Sequence, residues 1–311
     1  MKRILLFSML CLLVLAACKE GDKTGVVDKV NPFIGGTEGI SFDFLNLRNS
    51  VFDGNNDPFD IVIKLENKGE FTIPKQNMRV SVAGINPAEF GKVDEALALS
   101  PDDDSLGVRK DTQSNVLKSP PVTVEFAGLS YLGKVVGASQ QFPLAVDVCH
   151  LYGTTAASYL CILSDILTTK NNAVCKIQES KKVSNSGAPV QVQNVQEFER
   201  GRDKIGFTFE IKHAGSGAVY EQNTKCVNER FKNKVWVSVD TKIPGLTCTS
   251  LGHKEGTSVD GMVVLLDGTK TLSCTQQVSQ RSDFEQPITF KLLYDYNMQK
   301  RADIIVKASE R

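Results

Sequence analysis

The chain has 311 residues, with 36 basic and 36 acidic side chains, three histidines, one tryptophan and eight cysteines. That length is enough for two domains of ordinary size, and the charge balance argues against nucleic acid as the main ligand, which wants a basic face. Three histidines and one tryptophan are few for a metal or sugar site.

Lys2 and Arg3 open the chain, and Ile4 to Ala17 is an apolar run, shorter than the roughly 20 residues a spanning helix needs. A charged start, a short apolar stretch and small residues before a cut site make a secretory signal, so residues 1–17 read as a signal peptide. The small residues lead to a cysteine. Leu15-Ala16-Ala17-Cys18 resembles the lipobox of prokaryotic lipoproteins. The resemblance implies cleavage before Cys18 and lipidation of its thiol. Each buried methylene contributes about 0.8 kcal/mol, so two or three acyl chains hold a soluble domain on a membrane. Residues 18–36 then form the lipidated cysteine and a flexible polar tether without periodicity. Loss of Lys2 and Arg3 leaves 34 basic against 36 acidic residues.

Past the tether, Asp53-Gly54-Asn55-Asn56-Asp57 sets oxygen ligands at alternate positions, as calcium loops do. Asp53, Asn55 and Asp57 are therefore candidate cation ligands. However, Pro58 and Lys64 stand where an EF-hand wants glycine and glutamate, and the same residues are good turn formers. Residues 58–69, PFDIVIKLENKG, set Phe59, Ile61, Ile63 and Leu65 on one strand face and end in a turn signal. MRVSVAG, PPVTVEFAG and QFPLAVDVCHLYG repeat the pattern. Between them, residues 86–119 read as a polar loop with one short helical turn near Val93–Leu99, and Asp102-Asp103-Asp104 as a solvated acidic loop. Residues 37–165 form the first expected domain, and residues 166–187, polar and broken, a linker pinned by a disulfide.

Strands resume with APVQVQNVQEFE, KIGFTFEIKHAG, KVWVSVDTK, VDGMVVLLDG, KTLSCTQQVS, QPITFKLLYDYN and RADIIVKAS. Turn signals every 8 to 12 residues mark a β-sandwich, and residues 188–311 form the second expected domain. The halves are alike. PFDIVIKLENKGEFTI resembles IGFTFEIKHAGSGAVY, and QFPLAVDVCHLYGTTAASYLCIL resembles QPITFKLLYDYNMQKRADIIVKA, each read as a Pro-led strand, an aromatic, a turn and a returning strand. The expected fold class is all-β, two immunoglobulin-like sandwiches in tandem, disulfide-bonded. The strand–NKG–strand element resembles the Ig-like adhesion-type (CARDB) domains of bacterial and archaeal surface proteins. SGAPVQVQNVQ…FTFEIKHAGSGAVY is similar to a set of uncharacterised archaeal surface proteins. The resemblance implies a spacer, scaffold or binding module.

Cys11 leaves with the signal and Cys18 takes lipid, so Cys149, Cys161, Cys175, Cys226, Cys248 and Cys274 remain. An even count in an exported chain reads as three disulfides, and six cysteines allow 15 connectivities among which spacing does not choose. One arrangement pairs Cys248 with Cys274 on neighbouring strands and closes a short loop with Cys161–Cys175. That leaves Cys149–Cys226 to tie the halves together.

His150, His213 and His253 lie far apart. His150 abuts Cys149, but adjacent strand residues point to opposite faces, so no cysteine–histidine catalytic pair is expected. Gly215-Ser216-Gly217 joins two strands and is no nucleophile elbow. Trp236 reads as core, and Tyr294 and Tyr296 share a strand face, where one could make a tyrosine-corner contact; Tyr131, Phe142 and Tyr152 join them as aromatics with a minority binding reading. With no cofactor motif and no catalytic set, the expected function is a non-catalytic, membrane-anchored extracytoplasmic binding or structural module. Its partner is an unidentified protein or envelope polymer. The alternatives are a self-associating subunit of an envelope assembly or filament, and an envelope solute-binding protein or hydrolase.

Overall fold

Alternating apolar and polar residues build nearly every strand of the computed structural model, which describes residues 31–165, 174–252, 256–279 and 282–309. The first strands among them are β1 (Ile40–Phe44), β2 (Ser50–Phe52), β3 (Phe59–Asn67), β4 (Met78–Ala83), β5 (Ala98–Leu99), β6 (Arg109–Lys110), β7 (Val116–Leu117), β8 (Val122–Leu129) and β9 (Ser139–Ile162). There follow β10 (Glu179–Lys181), β11 (Ser184–Asn185), β12 (Val190–Glu199), β13 (Lys204–His213), β14 (Ala218–Tyr220), β15 (Lys234–Asp240), β16 (Leu246–Cys248), β17 (Ser258–Val264), β18 (Thr269–Gln277) and β19 (Phe284–Lys307). In β3 the expected Phe59, Ile61, Ile63 and Leu65 are buried, each removal from water stabilising by roughly 1.5–3 kcal/mol.

A central sheet runs β17-β15-β19-β9-β4-β5, with β11 beside β9 and with β14 and β2 beside β19. Two smaller sheets, β1-β3-β8 and β10-β12-β13-β18-β16, complete the sandwiches, and β6-β7 is a separate hairpin. The all-β class holds. β9 and β19 are each 24 residues long and pair antiparallel in one register from Ser139↔Lys307 to Ile162↔Phe284. At about 3.3 Å per residue this ribbon is roughly 80 Å long.

The ribbon corrects the turns read after Tyr152 and after Tyr296. Gly153 sits mid-strand because a Cβ there would meet Phe71 Cε2 at 2.5 Å. Both prolines fit because their missing N–H groups fall beyond a neighbour's end. Pro143 lies past Ala145, the last residue of β9 paired to β4, and Pro287 lies past Thr289, the last paired to β15.

The internal repeat appears in the pairing. β1, β3, β8 and β4 relate to β9 as β12, β13, β18 and β15 relate to β19. The far half of each long strand, however, lies in the other lobe. Residues 145–150 of β9 pair with β4, whereas Ala156 and Ala157 pair with β11 beside β12. Likewise β19 pairs with β15 through residues 289–293 and with β2 through residues 305–307. Residues 37–165 and 188–311 thus share one sheet, and Pro32–Arg311 forms one compact unit. Residues 179–185, inside the stretch read as a linker, form β10 and β11. Trp236 is a second correction: Val235, Val237 and Val239 take the buried face of β15, leaving Trp236 on the other face, half-buried.

Candidate binding site at the waist

Where the long strands pass from one lobe to the other, four rings meet. Tyr152 lies opposite Tyr294 and His150 opposite Tyr296, with centroids 6.4 and 6.0 Å apart. The even-numbered residues of both strands face the smaller sheets, so all four rings are buried. Three of them anchor main chain through a hydroxyl. Tyr152 donates to Gly187 O at 3.1 Å. Tyr294 accepts from Val190 N at 3.3 Å and lies 3.2 Å from Thr154 Oγ1. Tyr296 accepts from Gly217 N at 2.7 Å and meets His213 Nε2 at 3.2 Å. None of these is a tyrosine corner, whose hydroxyl bonds main chain a few residues upstream: the partners lie 35, 104 and 79 residues away. Burial raises the pKa of all three tyrosines and lowers that of His213. The fourth ring differs: neither nitrogen of His150 makes a well-formed hydrogen bond, and desolvation, outweighing the Val148 main chain, pushes its pKa down to about 3, which keeps it neutral.

Two recesses flank this tetrad. On the outer face of the central sheet, a pocket of about 170 Å³ is lined by Gln76, Asn77, Arg79, Cys149, Lys225 and Asp295, among others. The Cys149–Cys226 disulfide staples a strap, residues 221–228, over it. Asp295 receives the N–H groups of Asn223, Thr224 and Lys225 at 2.8–3.0 Å. Desolvation still raises its pKa, against those donors. Cys149, Cys226 and Asp295 have metal-ligand spacing, but both sulfurs are spent in the disulfide, so the set offers no thiolate.

The second recess, about 430 Å³, lies between β1 and β19 and is lined by Glu38, Ile40, Phe42, Pro189, Met298 and Lys300, among others. Its walls are two strand edges. Gly39 O accepts from Lys68 N, just past β3, and Leu45 N donates to Val62 O of β3, so the main chain of Ile40 and Phe42 points away from β3. On β19, Ile305 N bonds to Asn49 O and Lys307 O accepts from Asp53 N. Odd-numbered residues therefore face away from β9. β14 covers that edge to Asn297 and β2 from Ile305, and Gln299, Arg301 and Asp303 have no strand beside them among the described residues. Lys300 reaches Asp43 across the gap at 2.8 Å, an exposed ion pair.

A buried charge pair lies in the other lobe. A β-bulge at Asn194, with φ of 52°, shifts the phase of β12 so that Val195 and Glu197 face inward. Glu197 accepts Cys161 N at 2.9 Å and pairs with Lys181 at 3.1 Å. Burial pushes its pKa up to about 7 even so.

The six mature cysteines pair as Cys149–Cys226, Cys161–Cys175 and Cys248–Cys274, and Cys248 sits directly opposite Cys274 in the β16–β18 ladder. Cys18, the signal peptide, most of the tether and His253 lie outside the described residues. Residues 34 and 35, read as tether, donate their N–H groups to Glu70. Asp53 is buried and accepts from Ser309 N, Ser309 Oγ, Val135 N and Lys134. Asp57 takes both arms of Arg48 at 2.7 and 2.8 Å, and Asn55 is a turn residue with φ of 62°. The three are thus brought near one turn with both carboxylates committed to protein donors. Asp104 accepts Lys75 N, and Lys75 Nζ reaches Asp102 O. Tyr131 and Phe142 pack in the core with Phe90. Which strand edges stay open went unread in the sequence. The only signal was Lys300 and Ala302, which leave the core-facing positions of β19 without a large apolar side chain.

No protein-family model matches the chain, and no curated protein matches it. Among solved structures it is similar to infectious bursal virus derived T=1 particles at 7% identity, covering 90% of this chain and 81% of that one, with a TM-score of 0.12. It is also similar to the triple jelly roll protein of an archaeal virus at 11% identity, covering 89% and 92%, again with a TM-score of 0.12. Scores that low do not establish a shared fold.

Proposed function

We propose that the protein is a membrane-anchored extracytoplasmic module that binds or positions a partner and performs no chemistry. Cys18, in its lipobox-like setting, carries lipid, and the two lobes are immunoglobulin-like units of the adhesion type. The observation that carries the reading is the set of three disulfides, which uses all six mature cysteines beyond Cys18 and suits an oxidising compartment. Among the described histidines, His150 is sealed in the core and His213 is engaged with Tyr296, so neither is placed as a general base beside a nucleophile, which supports binding over hydrolysis. Mass spectrometry of the mature N-terminus and detergent-phase partition test the anchor. An acylated Cys18, with loss of partition in Cys18→Ser, is expected. An intact residue 1–17 segment or an unmodified Cys18 refutes it. Crosslinking on intact cells then separates a distinct partner from copies of the same chain, the latter favouring an envelope assembly.

A further inference from the structure

The repeat of the two lobes shows what the recess between β1 and β19 lacks. In the other lobe the corresponding gap lies between β12 and β9. Residues 179–185 close it: β10 pairs with β12, and β11 pairs with Ala156 and Ala157 of β9. Aligning Pro143 with Pro287 places Ala156 and Ala157 at Lys300 and Arg301 of β19. There β9 lies on one side, and on the other no strand lies alongside among the described residues. The described residues just before β1, which correspond to the end of that closing segment, run elsewhere. Ile34 N and Gly35 N donate to Glu70, and Gly36 O accepts from Ala188 N.

We propose that this recess takes an extended segment, about five or six residues long, of a partner polypeptide, added as a strand between β1 and β19; this rests on the binding-module reading above. An extended chain offers N–H and C=O groups alternately to both sides, matching Ile40 and Phe42 on one wall and Gln299 on the other, with Arg301 and Asp303 continuing the same open edge of β19 beyond the recess. Phe42 and Met298, both only partly buried against the core, call for apolar side chains on the inward face of the segment. Glu38 and Lys300, the charged side chains among the lining residues, cancel, so charge complementarity favours a neutral segment. The Asp43–Lys300 pair, with side chains 68% and 43% exposed, is held weakly and can swing aside.

A displayed library of random seven-residue peptides, selected on the purified full chain, tests this. Enrichment of neutral, alternating, proline-free sequences is expected, with slowed amide exchange at residues 40, 42, 299, 301 and 303 when an enriched peptide is added. Arg301→Pro removes an N–H on the open edge and leaves the β9 ladder intact. It should weaken capture about tenfold, the effect of one or two main-chain hydrogen bonds, at unchanged melting temperature. Arg301→Ala controls for the lost side chain and should bind as wild type. Absence of enrichment, or equal capture by Arg301→Pro, overturns the proposal. So does protection of those amides in the free protein, whether it depends on protein concentration (a second copy) or is lost on deleting residues 19–30 (the chain's own tether). Running both Cys18 and Cys18→Ser chains keeps failure of the anchor distinct from failure of the cleft.

Discussion

Replacing His150 with leucine removes a buried polar ring that makes no well-formed hydrogen bond, and the structure fixes how the effect depends on pH. In the unfolded chain the imidazole takes up a proton near its ordinary value of 6.5; in the folded chain, at about 3, it does not. A base with a depressed folded pKa contributes nothing unfavourable above the unfolded value. As pH falls from 6.5 toward 3 the unfolded state alone binds the proton, and stability is lost. Between pH 7.5 and pH 4.0 this amounts to about 3 kcal/mol, at 1.36 kcal/mol per unit. At pH 7.5, His150→Leu should be as stable as wild type or slightly more so, because an unsatisfied buried group costs about 1–3 kcal/mol and leucine nearly conserves the volume. Urea titrations with the disulfides intact, at both pH values and for both proteins, give the difference directly, since every other titrating group cancels between them. Wild type should lose about 3 kcal/mol more than the variant. Parallel losses in the two proteins would mean that His150 reaches water or a hidden partner in the folded state, and the argument from burial would fail.

Removing disulfides in pairs should destabilise in the order of the loops they close. The loss is about 4.5 kcal/mol for Cys149–Cys226, 3.5 for Cys248–Cys274 and 3 for Cys161–Cys175 on the chain-entropy relation, given separations of 77, 26 and 14 residues. Serine pairs and chemical denaturation check the order. Gly69→Ala places a Cβ 2.1 Å from both Gly187 O and the Tyr152 hydroxyl. With main chain on one side, it should cost about 3 kcal/mol, the upper end of overpacking, read as a fall in melting temperature. Glu197→Gln tests the buried acid. Its folded pKa is raised to about 7, so its favourable contribution is complete below pH 4.5 and is lost as pH rises through 7. Wild type should weaken relative to the variant over that window, and an unchanged difference would place Glu197 in a more polar setting than its burial implies.

The parts of this fold written in local pattern were legible in the sequence. β3 alternates without a break, and Cys248 and Cys274 fell on strands that do pair. What misled was glycine and polar residues mid-strand. Tyr152-Gly153-Thr154 has the composition of a turn, yet Gly153 is there to admit Phe71, a contact 82 residues distant in the chain. Asn297 to Arg301 looks like a loop because the inward face of β19 is uncovered there and needs no large apolar residues. Trp236 was misplaced because a half-buried outer face and a core face alternate alike. The inward turn of Glu197 depends on the bulge at Asn194, a one-residue insertion that reverses faces without a compositional mark.

The shared ribbon also sets an order on how the chain is made. Lobe one contains β1, β3, β4 and β8 from the first half, but its sheet lacks a central strand until residues 297–307 of β19 arrive. A chain delivered across a membrane from its N-terminus therefore cannot finish its first lobe before almost the last residue has emerged. On the export proposed above, Cys149 reaches the oxidising side 77 residues ahead of Cys226 and 12 residues ahead of Cys161, so its thiol waits in an incompletely folded segment while a wrong partner is nearer than the right one. Maturation of this protein should accordingly depend on disulfide isomerisation more than on oxidation, and fragments ending anywhere before β19 should be proteolytic substrates rather than half-sized domains.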